Sequence, residues 1–381
     1  MVLQKKKVVQ IISALNMGGA EALVKDYMLK LDESRIDATL IVTHKKINSA
    51  IEVQIDESCK KVIYLFDILF SKISILPNMM QKAIKRLVGR RMLVRTLNDI
   101  KPDVIHLHLG DFGLFGFNRY ANKYALKNNV RIFYTIHNDV NVWFKKKASR
   151  QRDKRYILQN KNIILIALTD EMKDELDKMF SVNNTIVIRN GIDIKRFVST
   201  CVCKVDARRE LNISENDFVI GHIGRMSVQK NHRFLIDIFY ELLLLKPEAH
   251  LLLVGQGSLE SNIKNQIVKY GLIDKVTITS NRSDIPNILR AMDVFVFPSL
   301  YEGLGIVLIE AQAAGLKCVV SDRVPKDAII TSKIAMLSLD DHIDIWCNEI
   351  LRNETNNTPI DRLEEYDICN IIKQLELIYC G

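Results

Sequence analysis

Arg225 and Lys230 stand five residues apart directly after the apolar run 218–223, so a guanidinium fork and an ammonium point charge share one strand end. A diphosphate suits that pair; a solvated surface pair is the competing reading. A second segment with chemistry begins at Glu302, after the apolar run 294–297, and passes through Gly303, Leu304 and Gly305 into a helical stretch carrying Glu310. Amides at a helix start lack intrahelical partners and sit at the positive end of the macrodipole, which favours an anion. Glu302 and Glu310 would lie about 12 Å apart if the segment were wholly helical. That span fits carboxylates gripping hydroxyls at both ends of a ligand longer than one sugar, with a diphosphate between; two solvated glutamates are the alternative.

Two further groups sit at strand ends. Gly18 and Gly19 follow the first strand and allow close backbone approach to a ligand, with a helix starting from the same loop. His106 and His108 close another strand, and His137 ends the next one in the run Thr135-Ile136-His137. An isolated histidine is more often structural, but a place at a strand's carboxyl end favours function. None of these segments is a P-loop or a G-x-G-x-x-G fingerprint.

Positioning such loops requires parallel strands with helical crossovers. Short β-rich runs fall near 8–14, 39–43, 62–65, 103–108, 132–137, 163–168 and 185–188, and again near 218–223, 250–254, 276–279, 294–297, 318–321 and 334–337. Longer amphipathic stretches separate them, which is the pattern of doubly wound sheets. The periodicity lapses around Arg189-Asn190-Gly191. The expected architecture is α/β: two Rossmann-like domains, 1–198 and 199–358, facing a central cleft, with a helical segment 359–381 crossing back to the first.

The 381 residues are 48% hydrophobic and 26% charged, which excludes a disordered chain, and the longest uncharged apolar runs have only strand length, which excludes a membrane span. No cleavage site follows the apolar stretch after Lys5, Lys6 and Lys7, so no signal peptide is expected. Seven cysteines without paired metal-ligand spacing read as free thiols in a cytoplasmic protein. The net charge of +9 is unevenly distributed: residues 1–190 carry 33 Lys and Arg against 19 Asp and Glu, and residues 191–381 carry 21 against 26. Within the basic half, 71–96 holds seven cations and no acid, with Met80, Ile84, Leu87 and Val88 on one helical side and Lys82, Lys85 and Arg86 on the other. A second cluster runs from Lys145 to Arg155. Such a face suits an anionic membrane surface; a solvated helix packed on the sheet is the alternative. Aromatic residues are too sparse in both clusters for nucleic-acid binding.

Arg225…Lys230, Glu302-Gly303…Glu310, Gly18-Gly19 and Arg189-Asn190-Gly191-Ile192-Asp193 occur in an order and spacing that resembles the retaining glycosyltransferase family 4, of GT-B fold, in its bacterial exopolysaccharide and capsule members. The resemblance implies that Arg225 and Lys230 bind the diphosphate of a nucleotide sugar, that Glu310 holds the ribose and that Glu302 contacts the transferred sugar. His137 would lie near the sugar and acceptor, Gly19 would face the donor phosphates, and Arg282 would lie near the base, in a stretch lacking the glycine often found there. The expected activity is retaining transfer of a hexose or N-acetylhexosamine, UDP-linked by family frequency, to a lipid-linked diphosphate saccharide, by an enzyme peripheral on the inner face of the cytoplasmic membrane. No two aspartates are two residues apart, so no Asp-x-Asp metal motif exists, and metal-independent transfer without a cofactor is expected. A nucleotide-sugar 2-epimerase of the same architecture and a basic nucleic-acid-binding protein are the competing classes.

Overall fold

The computed structural model describes residues 4–65, 78–108, 117–144, 151, 154, 157–158, 160–199, 201–352 and 362–381. The chain forms two compact units. One comprises Met1–Asn16, Ala20–Asn190 and Cys369–Gly381, the other Met17–Gly19 and Gly191–Ile368. The units part at Asn190, eight residues before the expected 198, because the short helix Ile194–Val198 packs on the helix Ile306–Ala313 of the second unit.

The first unit is built on a sheet of seven parallel strands: β1 (Lys6–Ile12), β2 (Ile36–Val42), β3 (Val62–Tyr64), β4 (Val104–Leu107), β5 (Arg131–Thr135), β6 (Ile163–Ala167) and β7 (Ile186–Val187). Their order is 3-2-1-4-5-6-7. The central strands are rich in Val and Ile and buried along their length, as parallel strands covered on both faces must be. Polar exceptions are therefore informative. Gln10 in β1 pairs in register with His106 in β4, and both are fully buried.

The C-terminal helix Ile368–Cys380 packs in this unit. Arg131 donates from both guanidinium nitrogens to the carbonyls of Ile378 and Tyr379, at 3.0 and 2.7 Å, satisfying acceptors that the helix end leaves open. At the same helix Glu376 accepts from the backbone N–H of Asp32 at 2.8 Å.

The second unit has six parallel strands: β8 (Phe218–Ile223), β9 (Ala249–Val254), β10 (Val276–Thr279), β11 (Val294–Phe297), β12 (Lys317–Ser321) and β13 (Ile334–Leu337), ordered 10-9-8-11-12-13. Its core runs from Ile220, Leu251 and Val296 to the helix faces of Leu235, Phe239 and Leu242 and the buried Trp346. A buried polar clamp sets β8 against β11. Arg208 donates to Asp293 at 2.6 Å and to the carbonyls of Ala291 and Glu215, while Asp293 accepts the Val219 N–H at 2.6 Å. In both sheets the strand order reverses beside one central pair, β1 and β4 in the first and β8 and β11 in the second. The loops after those strands are where such sheets bind ligands. No helix among the described residues is long and apolar enough to cross a membrane.

Candidate active site

In the second unit the loops after β8 and β11 meet. After Ile223 the chain passes Gly224 and Arg225, turns through the short 3-10 helix Val228–Lys230, and kinks at Asn231, whose φ of +53° is a left-handed conformation that asparagine tolerates. The kink launches the helix His232–Leu245 and leaves Lys230 facing the β11 loop. Lys230 Nζ donates to Glu302 Oε1 at 2.6 Å and lies 4.5 Å from the centroid of the Phe297 ring. Only 14% of the Lys230 side chain and 6% of the Glu302 side chain are exposed, so the pair is largely withdrawn from water. Gln229 joins the loops as well, donating to the Tyr301 carbonyl at 2.9 Å and accepting the Leu300 N–H on its own carbonyl. Arg225 shares the loop and is exposed.

Glycines make this closeness possible. A Cβ at Gly224 would come within 3.2 Å of the Lys230 side chain and 2.9 Å of His222 Nε2. Gly255, in the loop after β9, has a φ of +146° and its Cβ would overlap the Gly224 carbonyl at 2.1 Å. The Gly255-Gln256-Gly257 loop that braces Gly224 and Met226 was not singled out from sequence, although a Gly-x-Gly between strand and helix was the available signal.

Glu302 is not helical. The helix begins only at Ile306, after Gly305 caps it with a φ of +78°, and no side chain caps its amides. The span of about 12 Å for a wholly helical segment therefore does not apply: four residues of loop from Glu302 precede the helix, and Glu310 sits in its second turn at intermediate exposure. Gly303 and Leu304 are buried in that loop beside Glu302. Arg282 lies apart, following β10 at the sheet edge, two strands from β8. Its fork grips Asp284 at 2.7 and 2.5 Å.

The helix after β1 opens at Gly19, directly behind Gly18. His108 and His137 follow the adjacent strands β4 and β5, and their Nδ1 and Nε2 atoms are 3.0 Å apart. His106 is two residues before His108, within β4, and fully buried. Burial holds the histidines well below their ordinary pKa of 6.5, His106 at about 3 and His137 at about 4, with neighbouring imidazoles adding to the effect on His106 and His108. In the second unit burial, and then Lys230, brings His232 to about 4.

These depressed values carry a stability consequence. Unfolded imidazoles protonate below pH 6.5 and the folded ones do not, so the folded chain loses stability as pH falls from 6.5 toward 4. His106 alone is expected to remove about 2 kcal/mol between neutral pH and pH 5. Urea midpoints at pH 7.5 and pH 5 check this; equal midpoints would contradict it.

Two parallel sheets of Rossmann order, one carrying a cation and carboxylates at its switch point, define a two-domain glycosyltransferase of the GT-B type. Residues 17–196 match the family model of Glycosyltransferase Family 4, and residues 204–337 that of the glycosyl transferases group 1. The chain belongs to glycosyltransferase family 4 and transfers sugar from a nucleotide sugar. It is 28% identical over 366 residues to the "Putative glycosyltransferase EpsF" of Bacillus subtilis, covering 93% of this chain and 89% of that one. It is 29% identical over 275 residues to the UDP-Gal:alpha-D-GlcNAc-diphosphoundecaprenol alpha-1,3-galactosyltransferase of Escherichia coli, covering 68% of each. Its fold is similar to that of Anabaena Alr3699/HepE in complex with UDP and glucose, with a TM-score of 0.74 at 17% identity over 99% of this chain and all of that one.

Proposed function

We propose that this glycosyltransferase retains anomeric configuration and moves a hexose or N-acetylhexosamine from a UDP-sugar to a lipid-linked diphosphate saccharide at an anionic membrane surface, in surface polysaccharide synthesis. The observation that carries the donor half is the Lys230–Glu302 pair, held between the two loops of the second unit's switch point. The relative that acts on a diphosphoundecaprenol-linked sugar, and the solved structure that holds UDP-glucose, support the acceptor and donor classes. The excess of cations in residues 1–190 supports the membrane surface, with Arg91 and Arg95 exposed on the helix Asn78–Ile100. The side chains of Lys82, Lys85, Arg86 and Arg90, and most of the 145–155 cluster, lie outside the described residues.

As the anomeric C–O bond breaks, negative charge grows on the departing diphosphate. Lys230, Arg225 and the uncapped amides at the start of Ile306–Ala313 stabilise that charge without a metal ion. Glu310 binds the ribose hydroxyls and Glu302 the transferred sugar. The acceptor hydroxyl gives its proton to an oxygen of the leaving phosphate and forms the new C–O bond on the face that phosphate vacates. NMR of the product's anomeric proton tests this: the donor's configuration is expected, and an inverted linkage would overturn the mechanism.

A further inference from the structure

A continuous polar chain runs through the core of the first unit and ends at His137. Thr135 Oγ1 lies 2.7 Å from His106 Nε2, and His106 Nδ1 lies 2.5 Å from the Tyr379 hydroxyl. Gln10 donates from Nε2 to the same hydroxyl at 2.9 Å, and its Oε1 lies 2.7 Å from His108 Nε2. His108 Nδ1 then meets His137 Nε2, while His137 Nδ1 is shut off from water with no hydrogen-bond partner. Gln10, His106 and Tyr379 are fully buried, and Thr135 and His108 nearly so.

The number of protons fixes the direction of every bond. Burial keeps the three imidazoles neutral, so each has one N–H and one bare nitrogen. The carbonyl oxygen of Gln10 can only accept, so His108 carries its proton on Nε2 and its Nδ1 accepts. His137 must then donate from Nε2, which leaves its Nδ1 bare. On the other side Tyr379 accepts from Gln10 and donates to His106 Nδ1, and His106 passes its own N–H to Thr135. The amide of Gln10 is the one group that polarises both arms, and Tyr379 is what anchors its nitrogen end.

We propose that Gln10 and Tyr379 are positioning residues: through His108 they hold His137 in the tautomer protonated on Nε2, so that its bare Nδ1 accepts a hydrogen bond from a hydroxyl of the sugar substrate. The assignment rests on the glycosyl-transfer reading for the identity of that hydroxyl. It gives the C-terminal helix, 369 residues from Gln10 at the contact, a part in the reaction. An unpartnered acceptor removed from water is costly, and a substrate hydroxyl relieves that cost by donating its proton to the bare Nδ1.

The test is nitrogen-15 NMR of histidine-labelled protein, with the His137 signals identified by their loss in His137→Gln. In the resting wild type Nε2 is expected to be protonated and Nδ1 of the bare, pyridine type. Tyr379→Phe keeps the ring packing and removes the hydroxyl. It is expected to shift the His137 nitrogens to a mixture of tautomers and to lower kcat about tenfold, with the donor KM changed less than about twofold. A proton on Nδ1 in the wild type, or a Tyr379→Phe protein with unchanged His137 nitrogens or unchanged kcat, would overturn the proposal. The spectrum is taken without donor or acceptor, so it decides the tautomer even for a chain that transferred no sugar, and the wild-type spectrum decides it even if Tyr379→Phe did not fold.

Discussion

Lys230→Ala is expected to lower kcat/KM for the nucleotide sugar about 10³-fold, the scale of removing one fixed stabiliser of a developing oxyanion. The side chain is positioned on three sides: Glu302 at 2.6 Å, the Phe297 ring at 4.5 Å and the bare backbone of Gly224. In the proposed mechanism a preset cation of this kind stabilises charge at the leaving diphosphate without reorganising. The same substitution strands Glu302, a carboxylate only 6% exposed, and so is expected to lower stability too. Lys230→Ala combined with Glu302→Gln isolates the stability effect. The neutral amide recovers the denaturation midpoint, and transfer stays lost. Recovery of transfer in the double variant would show that Lys230 served only to neutralise Glu302.

Glu310→Ala is expected to lower kcat/KM for the donor about 10²-fold, mostly through KM, because the proposed site assigns this carboxylate to hydroxyls remote from the reacting carbon. Glu310 lies at intermediate exposure in the second turn of a helix, and alanine is at least as good a helix former there. Steady-state kinetics with varied donor concentration provide the check, and an unchanged KM would remove Glu310 from the donor site.

Much of the fold is legible from local pattern. Among the described residues all thirteen strands fall where apolar β-rich runs do, and the candidate loops lie after strands, as doubly wound sheets require. The spacing of Arg225, Lys230, Glu302 and Glu310 was readable because each belongs to one strand–loop–helix segment. What escaped is long-range. Nothing local says that Lys230 pairs with Glu302 across 72 residues, or that Gly255 must lack a side chain because Gly224 presses on it. The span for a wholly helical 302–310 does not apply, because a left-handed glycine at 305 starts the helix only at Ile306. The histidine network escaped for the same reason as the ion pair: Gln10 in an apolar strand and Tyr379 near the chain's end acquire meaning only when the C-terminal helix packs on β1 and β4. A lone polar residue inside a buried strand was the signal available.

The central claim is that the chain transfers sugar from a nucleotide donor to a lipid-linked diphosphate acceptor. Mass spectrometry of a polyprenyl diphosphate saccharide, incubated with the protein and a panel of UDP- and GDP-sugars, measures this directly. The expected result is an acceptor heavier by one hexose or N-acetylhexosamine residue with a UDP-sugar, accompanied by release of UDP. A folded protein that left the lipid-linked acceptor unchanged with every donor would contradict it.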